Sequence, residues 1–144
     1  MTEVSFHFNV PERTLYVCRL LRKATRQGAQ VAVTAAAPVL DELDRVLWTF
    51  DPIEFLPHRL LRRAETLPAR LAATPIVLTE QPATLARQDV LVNLGATPPE
   101  GFESYARLIE VVSNDEDDRA GARLRWKHYA ARGYPIRRHE VVVE

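Results

Sequence analysis

The side chains that could carry covalent, acid–base or metal chemistry are four histidines, one cysteine, three serines and several grouped carboxylates. His7, His58, His128 and His139 lie far apart and sit in no H-E-x-x-H or C-x-x-C setting, and Cys18 alone cannot complete a zinc site. Ser5, Ser104 and Ser113 are not in the strand–turn–helix elbow that exposes a nucleophile. Asp41, Glu42 and Asp44 fall on the polar side of one helical stretch. Asp115, Glu116, Asp117 and Asp118 open another, where carboxylates complement the helix dipole. Cys18 falls on an apolar helix face, the position of a core residue rather than a nucleophile. No catalytic constellation, metal or cofactor is expected. An enzyme acting on a small anionic substrate is the alternative these residues support least.

A different arrangement concentrates near the C-terminus. Arg119, Arg123, Arg125, Lys127, Arg132, Arg137 and Arg138 fall between Asp118 and Glu140 with no acid among them, although the formal net charge of the chain is zero. On a helix, Arg123 and Trp126 share a face that Tyr129 continues, and Arg125 stands four residues before Tyr129. A guanidinium fork beside aromatic rings can take a peptide end that is both anionic and apolar. Trp126 and Tyr129 could equally pack on a sheet while the arginines reach past them to solvent. Single-stranded nucleic acid on the same surface is a further reading. A second cluster, Trp48-Thr49-Phe50-Asp51-Pro52-Ile53-Glu54-Phe55-Leu56-Pro57-His58, sets aromatics in a proline-stiffened loop. There they could anchor a partner or fold over the edge of the core.

The elements that must position these groups read as α/β. Strands are expected at Val4–Phe8, Gln30–Thr34, Pro75–Leu78, Val90–Leu94 and Leu108–Val112, with Ile136–Val143 a possible sixth. Helices are expected at Glu12–Gln27, with Leu15, Cys18 and Leu21 inward and Gly28 as its stop. Others are expected at Pro38–Trp48, with Leu40, Leu43 and Leu47 inward, and at Asp115–Arg132, with Gly133 after it. Asp51–Leu71 reads as irregular, with a short helix around Leu60–Leu67. The order implies a three-layer, mostly parallel sheet with helices on both faces, Rossmann-like but without a nucleotide-binding loop. The first strand-to-helix turn, Phe8-Asn9-Val10-Pro11-Glu12-Arg13, lacks the glycines a pyrophosphate needs and places Glu12 where phosphate would sit. At 144 residues, 47% hydrophobic and 26% charged, the chain fits one domain over residues 1–144. No apolar run approaches a membrane span, the N-terminus does not read as a secretory signal, and a lone cysteine suits a reducing cytoplasm.

Several segments, taken in order, resemble the chi subunit family of bacterial DNA polymerase III. They are Phe6-His7-Phe8, then Leu43-Asp44-Arg45-Val46-Leu47-Trp48, then Phe55-Leu56-Pro57-His58. The strands Arg87–Leu94 and Ile109–Val112 follow, and last the helix Ala122-Arg123-Leu124-Arg125-Trp126-Lys127-His128-Tyr129 with its Gly133-Tyr134 ending. The resemblance runs over nearly the whole chain and implies a non-catalytic replisome adaptor. One surface would bind the psi subunit of the clamp loader, with Phe50, Phe55, Leu56 and Pro57 facing it. Another would take the acidic, phenylalanine-ending tail of the single-stranded-DNA-binding protein. Arg123, Trp126, Gly133 and Tyr134 would form that pocket, with Arg125, Lys127 and Tyr129 nearby. Single-stranded DNA would be reached only indirectly, and no membrane is implied. The chain departs from the family in a shortened, more acidic Ser113–Gly121 and in Trp126, where tyrosine is more usual. Those acids could repel an acidic tail or merely cap the helix.

Overall fold

The computed structural model describes residues 1–62 and 65–141. Among these residues seven strands form one sheet: β1 (Glu3–Val10), β2 (Val31–Thr34), β3 (His58–Leu60), β4 (Ile76–Leu78), β5 (Val90–Asn93), β6 (Arg107–Ser113) and β7 (Ile136–Glu140). Their order is β3-β4-β2-β5-β6-β1-β7, and every pairing is parallel. Among the described residues three α-helices complete the layers: α1 (Arg13–Arg26), α2 (Ala37–Thr49) and α3 (Glu116–Ala131).

Parallel strands need covered faces, and alternation along each strand supplies them. Val31, Val33, Ile76, Leu78, Val92, Ile109 and Val111 point one way, into a core with Val17, Cys18 and Leu21 of α1 and Leu40, Leu43 and Leu47 of α2. Val4, Phe6, Ala32, Val77, Leu91, Leu108 and Val112 point the other way, against Ala122 and Tyr129 of α3 and the loop residues Phe102 and Tyr105. Connections toward the β3 edge, made by α1 and α2, cross the first face. Connections toward the β7 edge, including α3, cross the second. This division is what right-handed crossovers require of a parallel sheet.

The buried stripe of α1 is Val17, Cys18 and Leu21, whereas Leu15 is 37% exposed and not inward as its spacing suggested. Burial pushes the Cys18 thiol up to about 11, so it stays protonated inside the core. The stretch 51–71 departs most from expectation. Leu60 ends an edge strand, residues 61, 62 and 65–68 form no helix, and 63 and 64 lie outside the described residues. Three residues after Pro57 give no alternation to recognise, yet they suffice to extend the sheet beside β4. Val142 and Val143 of the sixth expected strand are likewise outside the described residues.

Two strands that close in sequence, β4 and β5, do not pair, because β2 lies between them. In β1 the register shifts between His7 and Val10, and Asn9 takes a left-handed φ of 63°. Asparagine tolerates that conformation, and the bulge turns the chain out of the sheet toward α1.

Candidate docking surfaces

Along α3, Arg119, Arg123 and Lys127 recur every four residues and so form one stripe. Opposite them stands Arg138 of β7. Between these cations Phe6 and Phe8 of β1, Val112 of β6, and Ala122 and Trp126 of α3 line an open groove of about 510 Å³. The floor is aromatic because Phe6, Phe8 and Val112 occupy same-face positions on neighbouring strands. Trp126 leans on Phe6 with centroids 5.0 Å apart. The Arg138 guanidinium lies 5.2 Å from the Phe8 ring centre. An apolar floor with a cationic rim is matched to a ligand that is apolar at its end and anionic along its length.

The acidic start of α3 divides its work. Asp115 caps the helix, accepting from the Asp118 N–H at 3.3 Å. Asp118 accepts from the Ser113 N–H at 2.7 Å and lies 3.4 Å from Arg13 of α1. Only Glu116 faces the groove cations, 3.9 Å from Arg119 and 3.8 Å from Arg123, with all three side chains mostly exposed. Pairs that long and that wet hold their arginines weakly.

Of the expected tail-pocket residues, Arg123, Trp126 and Lys127 converge on the groove. Arg125 and Tyr129 do not line it. They turn toward the sheet, into a buried cluster around Glu110 of β6, which has no exposed surface. Glu110 accepts from Arg125 Nε at 2.9 Å, Asn93 Nδ2 at 2.9 Å and the Tyr129 hydroxyl at 2.6 Å. A second Arg125 nitrogen donates to the Ala96 carbonyl at 3.2 Å. Burial pushes the Glu110 carboxyl up, opposed by the Arg125 guanidinium and the hydrogen bonds from Asn93 and Tyr129. The same surroundings push the Tyr129 hydroxyl well above its usual range. Gly133 closes α3 with φ 78°, and Tyr134 packs on Phe102 with centroids 5.2 Å apart, lining a separate cleft beyond the groove. Arg119, Arg138, Phe6 and Phe8 were not among the expected site residues. The four-residue cation repeat of α3 and the Phe-x-Phe alternation of β1 were the signals that could have found them.

The second surface lies near the other sheet edge. Asp51 accepts from the Ile53 and Glu54 N–H groups at 2.9 and 3.0 Å, closing a turn. Ion pairs Arg22–Asp51 and Arg26–Glu54 fasten this turn to α1. Asp51 is held below the usual carboxylate range by the Glu54 and Ile53 N–H groups and then by Arg22. The result presents Trp48 and Phe55, each 57% exposed and stacked at 5.5 Å, beside Ile53 at 96%. His58 supports the pair from below, its Nδ1 2.7 Å from the Leu56 carbonyl and its ring 4.7 Å from that of Trp48. Of the expected partner-facing residues, Phe55 and Pro57 are on the surface. Phe50 is half-buried under the Arg22 guanidinium, and Leu56 belongs to the core. Trp48 and Ile53 take their places on the surface.

Among the described residues no group of three or more His, Cys, Asp or Glu could hold a metal ion. Among the described residues no helix is long and apolar enough to cross a membrane.

Fold and surfaces together define an open, doubly wound α/β domain with a cationic, aromatic-floored groove at one edge and an exposed aromatic patch near the other. The family model for DNA polymerase III chi subunit, HolC, matches residues 1–137. A DNA polymerase III subunit chi from Pseudomonas aeruginosa is 33% identical over 147 aligned residues, covering 98% of each chain. Another from Haemophilus influenzae is 31% identical over 121 residues, covering 83% of this chain and 81% of its own. The chain belongs to the DNA polymerase III chi subunit family, and so to the accessory subunits that serve DNA replication.

Proposed function

We propose that this chi subunit is a non-catalytic cytoplasmic adaptor whose α3 groove takes the acidic, phenylalanine-ending tail of the single-stranded-DNA-binding protein. The observation that carries this reading is the groove itself, with its floor of Phe6, Phe8 and Trp126 beneath Arg119, Arg123, Lys127 and Arg138. A terminal aromatic side chain fits among the rings, its carboxylate meets a guanidinium, and the preceding acids meet the remaining cations. The exposed Trp48–Phe55 patch then serves the psi subunit of the clamp loader, so the two partners occupy separate surfaces of one domain. Such an assembly reaches single-stranded DNA through the tail. Co-sedimentation with intact single-stranded-DNA-binding protein of the same organism tests the tail assignment. Complex formation is expected with the intact protein and not with a version lacking its last residues. Equal binding to both would overturn it.

A further inference from the structure

A second cationic cleft, of about 460 Å³, opens on the α1 side of β1 and β7. Arg19 and Lys23 of α1, Arg107 of β6 and Arg137 of β7 line it, together with Arg138, which also lines the α3 groove and carries its guanidinium over Phe8 there, and no carboxylate does. Among the described residues, the only acid paired with any of these five is Glu3, 3.7 Å from Arg137 on an exposed rim. His7 and His139 stand between them with ring centres 4.9 Å apart, and His7 Nδ1 lies 2.5 Å from the Tyr16 hydroxyl. Ser5 and Leu20 complete the lining.

Two contrasts with the α3 groove decide what this cleft fits. It has no floor of phenylalanine and tryptophan; its rings are those of His7, Tyr16 and His139, each of which carries a polar atom. Its charged side chains are all hydrogen-bond donors, whereas a bound peptide would bring amide N–H groups that need acceptors. A phosphodiester backbone only accepts, and guanidinium forks suit its oxygens. We propose that this cleft binds the phosphate backbone of a single strand of nucleic acid, independently of base sequence and through cations that, apart from Arg138, the tail groove does not use. The contact would be a direct one, beyond that made through the tail.

The cleft's electrostatics agree. His7 is held down to about 4, first by burial and then by His139, Arg107 and Lys23. The groups facing it are Tyr16, Arg19 and Lys23 from α1, Arg107 from β6, Arg137, Arg138 and His139 from β7, and Ser5 on its own strand. A phosphate among them offsets that positive field and raises the affinity of His7 for a proton. Proton uptake on binding is then confined to acidic pH, just above the His7 value of about 4.

The test is a fluorescence titration of a labelled thymidine oligonucleotide against the full chain at several salt concentrations. Micromolar-to-submillimolar binding is expected at low salt, with a log–log salt slope of about −2 to −3, matching three to four phosphates on a single strand. Replacing two exposed cleft residues, Lys23→Glu with Arg107→Glu, should weaken it at least about tenfold and flatten the slope. Arg123→Ala, in the other groove, should not. Circular dichroism checks the fold of each variant, and the milder Lys23→Ala should lose about threefold. Inorganic pyrophosphate should compete only at far higher concentration than the oligonucleotide. Four results would overturn the proposal: no binding at low salt, unchanged binding in the cleft variants, loss through Arg123→Ala instead, or pyrophosphate binding tighter than the strand.

Discussion

In the proposed adaptor, Arg123 is the residue on which tail capture would turn, and it is available because its partner in the free chain is poor. Its side chain is 60% exposed and sits 3.8 Å from a still wetter Glu116. A terminal carboxylate seated over the aromatic floor would offer a drier and better aligned acceptor. Arg123→Ala should then weaken a tail peptide by about 2 kcal/mol, roughly thirtyfold. An unchanged affinity by calorimetry would remove Arg123 from the site. Arg125, two residues on, has the same chemistry and a different fate. It balances Glu110, which is wholly buried. Arg125→Met leaves that carboxylate without its cation and should cost about 3–5 kcal/mol in a denaturant melt, with peptide affinity retained. Adding Glu110→Leu should recover part of the loss, because the buried Tyr129 hydroxyl then lacks its acceptor. The reverse pattern, stability kept and peptide lost, would return Arg125 to the tail site. Sequence spacing places both arginines beside aromatics on α3. It cannot say which one meets the sheet, because that depends on the acid at position 110 of a strand paired elsewhere.

At the scale of elements, the helices and most strands were legible because each has a period and a stop. Leu40, Leu43 and Leu47 repeat at helical spacing, and all three are buried. Gly28, with φ 79°, ends α1 where a left-handed residue is needed. The Asp51–Leu60 region was not legible, since its order comes from side chains on another element. Arg22 and Arg26 of α1 hold the turn that displays Trp48 and Phe55. This gives a pH dependence of defined sign. Hydrogen bonds lower the Asp51 carboxyl in the folded chain, so its contribution is present above the unfolded-state value. It is lost as pH falls through the lower, folded one. In a Trp126→Phe protein, the change in Trp48 emission should be centred on the acid side of the ordinary aspartate range. A change centred within that range would show that Asp51 does not fasten the loop.

For the whole molecule, the parallel sheet keeps its surfaces apart. Rightward and leftward crossovers place α3 on one face and α1 with α2 on the other, so the α3 groove and the Trp48–Phe55 patch do not share a side chain. An adaptor needs that separation if two partners are to be held at once. The central claim is that the groove recognises an acidic tail by its terminal aromatic residue. A calorimetric titration with a short peptide ending in Asp-Asp-x-Pro-Phe, beside the same peptide without the Phe, tests it most directly. Micromolar binding, about −8 kcal/mol, that disappears without the Phe and weakens moderately with salt is the predicted result. Equal binding of both peptides, or binding of neither, would contradict it.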